Sequence, residues 1–275
     1  MQRFDVGSTM TDVEPTRSIS RPEDRQSKTM GRYRETVVLL AHAQKTSKGA
    51  PAYSRFVNRP AGRRLAAVAF LLGRTPNEVT AVSAVFSGIG IVLIATVHPA
   101  LWVGLAISLC LVIGYAFDAA DGQLARLRGG GSASGEWLDH VIDATKISSL
   151  HLAVLIASYR FFDLGSAAWL LIPIGFTVVA AVMFFAMILN DQLRRQQAVV
   201  SGKAVDRGNS STLRSLAVIP TDYGVMCLVF PLLAIPTVFF GAYTFLFLCN
   251  AGFLALAAVK WFRDMQVLSV TGTRR

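Results

Sequence analysis

The chain has 275 residues, of which 53% are hydrophobic and 16% are charged, and its formal net charge at pH 7 is +10. Soluble domains carry about 25% charged residues, so this composition excludes an ordinary water-soluble globule and favours a membrane protein. The three cysteines lie inside apolar runs without paired spacing, which argues against a disulfide framework or a zinc site. The first thirty residues lack the apolar run of a cleaved secretory signal.

The polar first part of the chain predicts two segments that precede the membrane core. Residues 1–49 are rich in Ser, Thr, Arg, Asp and Glu, which predicts a disordered basic cytoplasmic tail. Residues 50–75 combine several arginines with an apolar stretch too short to cross a bilayer, which predicts an interfacial amphipathic helix on anionic headgroups. Pro60 and Gly62 interrupt this helix, so a solvated linker is the alternative.

An apolar run needs about 20 residues to cross a bilayer. Runs of this length occur from residue 76 onward. We predict an all-α membrane protein with six transmembrane helices in one bundle over residues 76–265, followed by a short cytoplasmic tail at 266–275. Pro173, Pro231 and Pro236 fall inside the runs and predict kinks. The predicted spans are residues 77–97, 100–126, 135–160, 166–190, 221–240 and 243–262.

The distribution of Lys and Arg predicts the orientation of these spans. The connections near 98–99, 161–165 and 241–242 contain neither residue, whereas both termini and the stretch 191–220 contain many. Because positive residues favour the cytoplasmic side, both termini and residues 191–220 are predicted to be cytoplasmic. We expect a multi-pass protein of the inner (cytoplasmic) cell membrane.

Acidic residues cluster at the cytoplasmic ends of the second and third predicted spans. A carboxylate in a spanning helix is costly unless it is paired or binds a cation, so these residues are functional candidates. The members of the cluster are Asp118, Asp121, Glu136, Asp139 and Asp143.

Helical spacing arranges the four aspartates in two stripes. Asp118 and Asp121 share one helix face, and Asp139 and Asp143 share a face of the next helix. The Gly-rich connection 128–132 is short, so we expect antiparallel neighbouring helices whose stripes face each other. Four carboxylates without His or Cys form an all-oxygen site suited to two Mg²⁺ or Mn²⁺ ions. Two such ions clamp phosphoryl groups, which points to phosphate chemistry.

Small and basic residues accompany the aspartates. Gly122 and Ala125 leave room for a bulky ligand against the helix, and Arg126 can pair with a diphosphate. Gly135 begins the second stripe and Lys146 extends it. Close helix packing is the alternative explanation for the small residues.

The stretch from Asp118 to Asp143 reads Asp-x2-Asp-Gly-x2-Ala-Arg-x8-Gly-x3-Asp-x3-Asp, and it resembles the signature of the CDP-alcohol phosphotransferases. The resemblance extends over the six-span core and includes Pro76-Asn77-x2-Thr80 at the start of the first span. It implies a polytopic, usually homodimeric enzyme that transfers a phospho-alcohol from a CDP-alcohol to an acceptor hydroxyl and releases CMP.

The resemblance also implies roles for individual residues. Asp143 would be the catalytic base and would border the second ion. The metal-binding residues would be Asp118, Asp121, Asp139 and Asp143. The nucleotide-binding residues would be Asn77, Thr80, Gly122, Ala125, Arg126 and Gly135.

The substrates are less closely defined. CDP-diacylglycerol is the expected donor, and membrane lipid is the expected surrounding; no nucleic-acid partner is expected. The phosphatidylglycerophosphate synthases that the motif resembles usually have a lysine directly after the last aspartate, whereas Ala144 follows Asp143 here, which disfavours glycerol phosphate. Inositol phosphate is the first choice of acceptor. Positive charge in a cytoplasmic loop also follows from topology alone. The basic residues expected to contact an anionic acceptor are Lys146, Arg194, Arg195, Lys203, Arg207 and Arg214.

Other functions stay open at this point. A phosphatidylglycerophosphate synthase is one alternative. The stretch from Gly135 to Asp143 is also similar to the choline and ethanolamine phosphotransferases, which transfer from a CDP-aminoalcohol to diacylglycerol. A cation transporter also buries carboxylates among helices, but it would place them near the bilayer midplane.

Overall fold

The computed structural model describes residues 22–42, 51–201 and 219–272, and these ranges contain helices but no strands. Short π- or 3₁₀-helical turns cover Ser54–Asn58, Ala167–Leu170, Ile219–Thr221 and Phe230–Ala234. The α-helices are α1 (Pro22–His42), α2 (Arg59–Leu71), α3 (Pro76–Thr96), α4 (Leu101–Leu127), α5 (Ala133–Phe161), α6 (Leu171–Ser201), α7 (Tyr223–Val229) and α8 (Pro236–Gly272).

Five described helices, α3, α4, α5, α6 and α8, are long and apolar enough to cross a membrane. They confirm the all-α membrane-type fold, but the predicted span at 221–240 is broken. Its first part is the shorter apolar segment Tyr223–Ala234. Ile235 is extended and α8 begins at Pro236, because a residue before proline disfavours helical geometry while proline suits the first helical position. The predicted connection at 241–242 is therefore wrong.

Two helices continue beyond their predicted ends. Since α6 reaches Ser201, the predicted cytoplasmic loop is wrong for residues 191–201, and residues 202–218 lie outside the described ranges. An ion pair between Arg195 and Asp191, four residues apart, supports the extra helical turns. Residues 266–272 of the predicted tail continue α8, and residues 273–275 lie outside the described ranges.

The helix α1 occupies residues that composition assigned to a disordered tail, so that expectation is wrong for residues 22–42. Residues 1–21 and 43–49 lie outside the described ranges. Leu40 of α1 is fully buried in a cluster with Ala66 and Ala67 of α2 and Leu124 of α4. Burying a leucine side chain stabilises the fold by about 1.5–3 kcal/mol. The residues that bury Leu40 lie far away in the sequence, so the composition of residues 22–42 does not predict this stabilisation.

The helix α3 brings together the two helices that carry the aspartates. It begins with a capping box between Thr75 and Glu78, and it packs against both α4 and α5. The backbones of α4 and α5 are kept apart, so a gap remains between them. The connection 128–132 reverses the chain through Gly129 and Gly130, whose φ angles of 93° and 127° favour glycine.

The main apolar core lies between α3, α4, α5, α6, α7 and α8. Stacked and tilted aromatic rings of Phe176, Phe230, Phe239 and Tyr243 fill it. The three cysteines are free. This core fixes how α5 and α7 approach the gap.

Candidate metal centre

Three of the four predicted metal-binding aspartates converge across the gap between α4 and α5. One carboxylate oxygen from each of Asp118, Asp139 and Asp143 lies within 4.8 Å of the others, and all three residues are partly buried. Such a set of carboxylate oxygens fits a hard divalent cation such as Mg²⁺ or Mn²⁺. The two predicted stripes therefore do face each other.

The fourth aspartate, Asp121, lies deeper in the protein and is 5% exposed. The hydroxyl of Thr80 on α3 donates a 2.7 Å hydrogen bond to one of its carboxylate oxygens. Asp121 also interacts electrostatically with Asp118 and Asp139. Thr80, which was expected to contact nucleotide, thus orients a carboxylate of the centre.

Lys146 is part of the centre itself. Its ammonium nitrogen lies 2.5 Å from a carboxylate oxygen of Asp118 and 2.7 Å from one of Asp143. The Lys146 side chain is 11% exposed, and it also donates to the hydroxyl of Ser83 over 3.4 Å. An ammonium so placed offsets the repulsion between carboxylates on two helices. The sequence signal for this bridge is the three-residue spacing between Asp143 and Lys146.

The predicted nucleotide-binding residues lie on α3, α4 and α5, the helices that carry the centre and its support. A Cβ atom on Gly135 would lie 3.1 Å from Oδ1 of Asn77, so these two residues adjoin each other. On α4, a Cβ atom on Gly122 would lie 3.4 Å from Nη1 of Arg126. The Nε atom of Arg126 is buried without a hydrogen-bond partner among the described residues. Such a guanidinium suits an anionic ligand, and Ala125 lies one residue before it.

The helix α2 adds positive charge beside Arg126. Arg59 interacts electrostatically with Arg126, and its main-chain oxygen accepts a hydrogen bond from Gln123. Desolvation lowers the pKa of Arg59, although a guanidinium stays protonated at neutral pH. The Nε atom of Arg63 is also buried without a partner among the described residues. Sequence reasoning assigned these arginines to headgroups, whereas Arg59 adjoins the end of α4.

The arginines expected to bind the acceptor form ion pairs. Arg194 pairs with Asp264 over 2.7 Å. Arg195 contacts Glu136 over 2.8 Å and Asp191 over 2.5 Å. Since Glu136 precedes Asp139 by one turn of α5, Arg195 lies near the entrance to the centre. Lys203, Arg207 and Arg214 lie outside the described residues.

Comparisons with known proteins complete these observations. No curated protein sequence matches the chain. A solved structure similar to it is the Mycobacterium tuberculosis phosphatidylinositol phosphate synthase (PgsA1) in complex with manganese and citrate. The identity is 20%, the match covers 72% of this chain and 87% of that chain, and the TM-score is 0.42.

The family model for CDP-alcohol phosphatidyltransferase matches residues 74–262, which include α3 and the whole aspartate centre. Members of this family are phosphotransferase enzymes. The prediction of an enzyme is therefore confirmed, and the alternative of a cation transporter is not supported. The match covers most of the chain, and it shows that this multi-pass membrane protein belongs to the CDP-alcohol phosphatidyltransferase family.

Proposed function

We propose that this enzyme transfers a phosphatidyl group from CDP-diacylglycerol to a polar alcohol, with inositol phosphate as the acceptor, and releases CMP. The observation that carries the proposal is the convergence of Asp118, Asp139 and Asp143 between α4 and α5, beside Asp121. The family supplies the general reaction, and the choice of donor and acceptor is ours.

Two Mg²⁺ or Mn²⁺ ions would be held by Asp118, Asp121, Asp139 and Asp143. When bound, divalent ions neutralise diphosphate charge and stabilise the attacking and leaving oxygens. The protein holds the four carboxylates in place through α3, whose Thr80 orients Asp121, and through Lys146, which bridges Asp118 and Asp143.

Asp143 is the proposed general base. Its carboxylate takes the proton of the acceptor hydroxyl while that oxygen forms a bond to the β-phosphorus, and the bond from this phosphorus to the oxygen of CMP breaks. Lys146 contacts Asp143 over 2.7 Å and thereby orients the carboxylate.

The pairing of Arg195 with Glu136 supports an anionic acceptor. Arg195 is 41% exposed, and Glu136 lies one turn from Asp139. A phosphate group on the acceptor can replace Glu136 as the partner of Arg195, since guanidinium groups bind both anions in the same forked geometry. A neutral alcohol gains nothing from this exchange.

We also propose that the protein lies in the inner cell membrane as a homodimer with both termini in the cytoplasm. The distribution of Lys and Arg supports the orientation, which requires the segment Tyr223–Ala234 to cross the membrane as a sixth span, because an even number of crossings leaves both termini on one side. Exposed small residues on α8, including Gly252 and Ala255, suit close helix contact between protomers. Thiol labelling of single-cysteine variants from each side and chemical cross-linking in membranes test the two statements.

The experiment that tests the activity is CMP release by the purified protein in detergent with Mg²⁺. CDP-diacylglycerol is paired with inositol phosphate, glycerol phosphate, inositol or serine, and CDP-choline is paired with diacylglycerol. Release that depends on inositol phosphate is the expected result. Release with another polar alcohol alone would replace the acceptor, and release only with CDP-choline and diacylglycerol would overturn the proposed donor.

A further inference from the structure

Tyr223, the first residue of α7, has a buried hydroxyl without a hydrogen-bond partner among the described residues. The thiol of Cys227 interacts with this hydroxyl, but a thiol is a weak hydrogen-bonding group. Buried polar groups in native proteins are almost always paired, because an unpaired group loses its bonds to water without compensation. An unpaired hydroxyl at this place therefore calls for a ligand.

The hydroxyl of Tyr223 lies at the aspartate centre. It interacts electrostatically with Asp118 and Asp143, which belong to different helices. Its ring packs edge to face on Tyr115 with the ring centres 5.1 Å apart, and Tyr115 precedes Asp118 by one turn of α4. The ring contact with Tyr115 and the interactions with Asp118 and Asp143 place Tyr223 beside the aspartate centre.

The position of Tyr223 is fixed by its neighbour Asp222, which is 2% exposed. One carboxylate oxygen of Asp222 accepts a 3.0 Å hydrogen bond from the main-chain nitrogen of Gly224, and the other accepts a 2.9 Å bond from that of Ser54. These bonds cap α7 and tie it to the segment before α2. A hydroxyl on such a rigid support is preorganised for a ligand.

Two other side-chain donors of the described residues at the aspartates, Thr80 and Lys146, are engaged. Thr80 donates to Asp121, and the ammonium of Lys146 contacts Asp118 and Asp143. An acceptor alcohol that enters the centre can donate its proton to a carboxylate, but a phosphate oxygen of the donor substrate can only accept. Among the described residues, Tyr223 has a buried hydroxyl whose proton is available to such an oxygen.

We propose that Tyr223 donates a hydrogen bond to a non-bridging phosphate oxygen of the CDP-linked donor, beside Asp118 and Asp143. The inference rests on the proposed function, because it takes a CDP-alcohol as the molecule that fills the centre. It makes Tyr223 a catalytic residue that stabilises charge on the phosphoryl group during transfer.

The test compares Tyr223→Phe with the matched control Tyr243→Phe. The hydroxyl of Tyr243 is buried as well, but it is hydrogen-bonded to His151 over 2.8 Å in the apolar core. Tyr223→Phe is expected to lower kcat/KM by roughly 10- to 100-fold, the range for a hydrogen bond to a charged group, and to keep or raise Tm. Tyr243→Phe is expected to lower Tm, because His151 loses its partner, and to leave kcat/KM within about twofold.

Binding of CDP-diacylglycerol in Mg²⁺, measured by calorimetry on the same three proteins, separates this inference from the proposed function. A wild-type protein that binds the donor but releases no CMP with any acceptor would contradict the proposed function alone. In that case, the inference still requires Tyr223→Phe to bind CDP-diacylglycerol several-fold more weakly than the wild type does. Binding and turnover equal to those of the wild type, with a higher Tm, would overturn the inference and leave Tyr223 a packing residue.

Donors with sulfur in place of a non-bridging oxygen on the β-phosphorus identify the contact. Sulfur is a poor hydrogen-bond acceptor, so Tyr223→Phe is expected to slow the reaction of one phosphorothioate diastereomer less than that of the natural donor. An equal slowing of the natural donor and both diastereomers would overturn the contact with this phosphate.

Discussion

Lys146 and Asp118 form an ion pair of 2.5 Å that joins α5 to α4 across a gap in which the two backbones stay apart. The same ammonium contacts Asp143 three residues earlier on its own helix. One side chain therefore spans the place where the proposed cations and the diphosphate must meet.

Replacing Asp143 with Asn is expected to lower the rate of CMP release by at least about 1,000-fold, because an amide cannot take the proton of the acceptor hydroxyl. Binding of CDP should persist, since the residues proposed to bind nucleotide stay in place. Initial rates and equilibrium CDP binding measure the two effects. A variant with full activity would remove Asp143 from the role of base.

Replacing Lys146 with Met leaves the carboxylates of Asp118 and Asp143 without their shared cation. In EDTA, the free energy of unfolding is expected to fall by about 3 kcal/mol, and added Mn²⁺ should raise Tm more than it does in the wild type. Thermal unfolding in detergent, with and without Mn²⁺, measures both quantities. Lys260→Met, at an exposed position on α8, is the matched control. An unchanged response to Mn²⁺ would show that Lys146 does not compete with cations.

Replacing Thr80 with Val removes the 2.7 Å hydrogen bond that orients Asp121. Because groups that orient a metal ligand contribute to affinity, the Mg²⁺ concentration for half-maximal activity is expected to rise about 10- to 100-fold. Thr80→Ser keeps the hydroxyl and should restore the wild-type value. If Thr80→Val instead weakens CDP binding in the absence of metal, Thr80 contacts nucleotide, as the family resemblance implies.

Replacing Asp222 with Ala removes the acceptors for the main-chain nitrogens of Ser54 and Gly224. Both donors lose a partner, so the free energy of unfolding should fall by about 1–3 kcal/mol. Asp163→Ala, in the exposed connection after α5, removes a weak 3.4 Å bond and is the matched control. Denaturation in detergent micelles compares the two variants. Equal stability of both would mean that the Asp222 bonds add nothing to the fold.

The aspartate centre can be predicted from the sequence because it depends on spacing within neighbouring segments of the chain. Helical spacing places Asp118 with Asp121 and Asp139 with Asp143, and the glycines at 129 and 130 set the reversal between the helices. No long-range information is needed to expect that these stripes meet. The shared face and the family signature identify the same residues.

The features that the sequence did not predict depend mainly on contacts between distant parts of the chain. Tyr223 follows Tyr115 by more than a hundred residues, and only tertiary packing brings the two rings together. The burial of Leu40 likewise needs α2 and α4, so composition alone misassigned residues 22–42. The break at Ile235 was visible in the sequence as the residue before Pro236, but hydropathy averaged over a window conceals a single extended residue.

The hydrogen bond from the main-chain nitrogen of Ser54 to Asp222 joins residues 168 positions apart. It can form only after residue 222 has been synthesised. While the chain is being synthesised, the four aspartates and Lys146 leave the ribosome long before α7 does. A nascent chain that ends before residue 222 contains the four aspartates but has neither the anchor for the segment before α2 nor the hydroxyl of Tyr223. The completed arrangement at the centre arises only when the last two helices arrive, so an unfinished chain in the membrane does not yet hold the full set of groups proposed to act on lipid nucleotide.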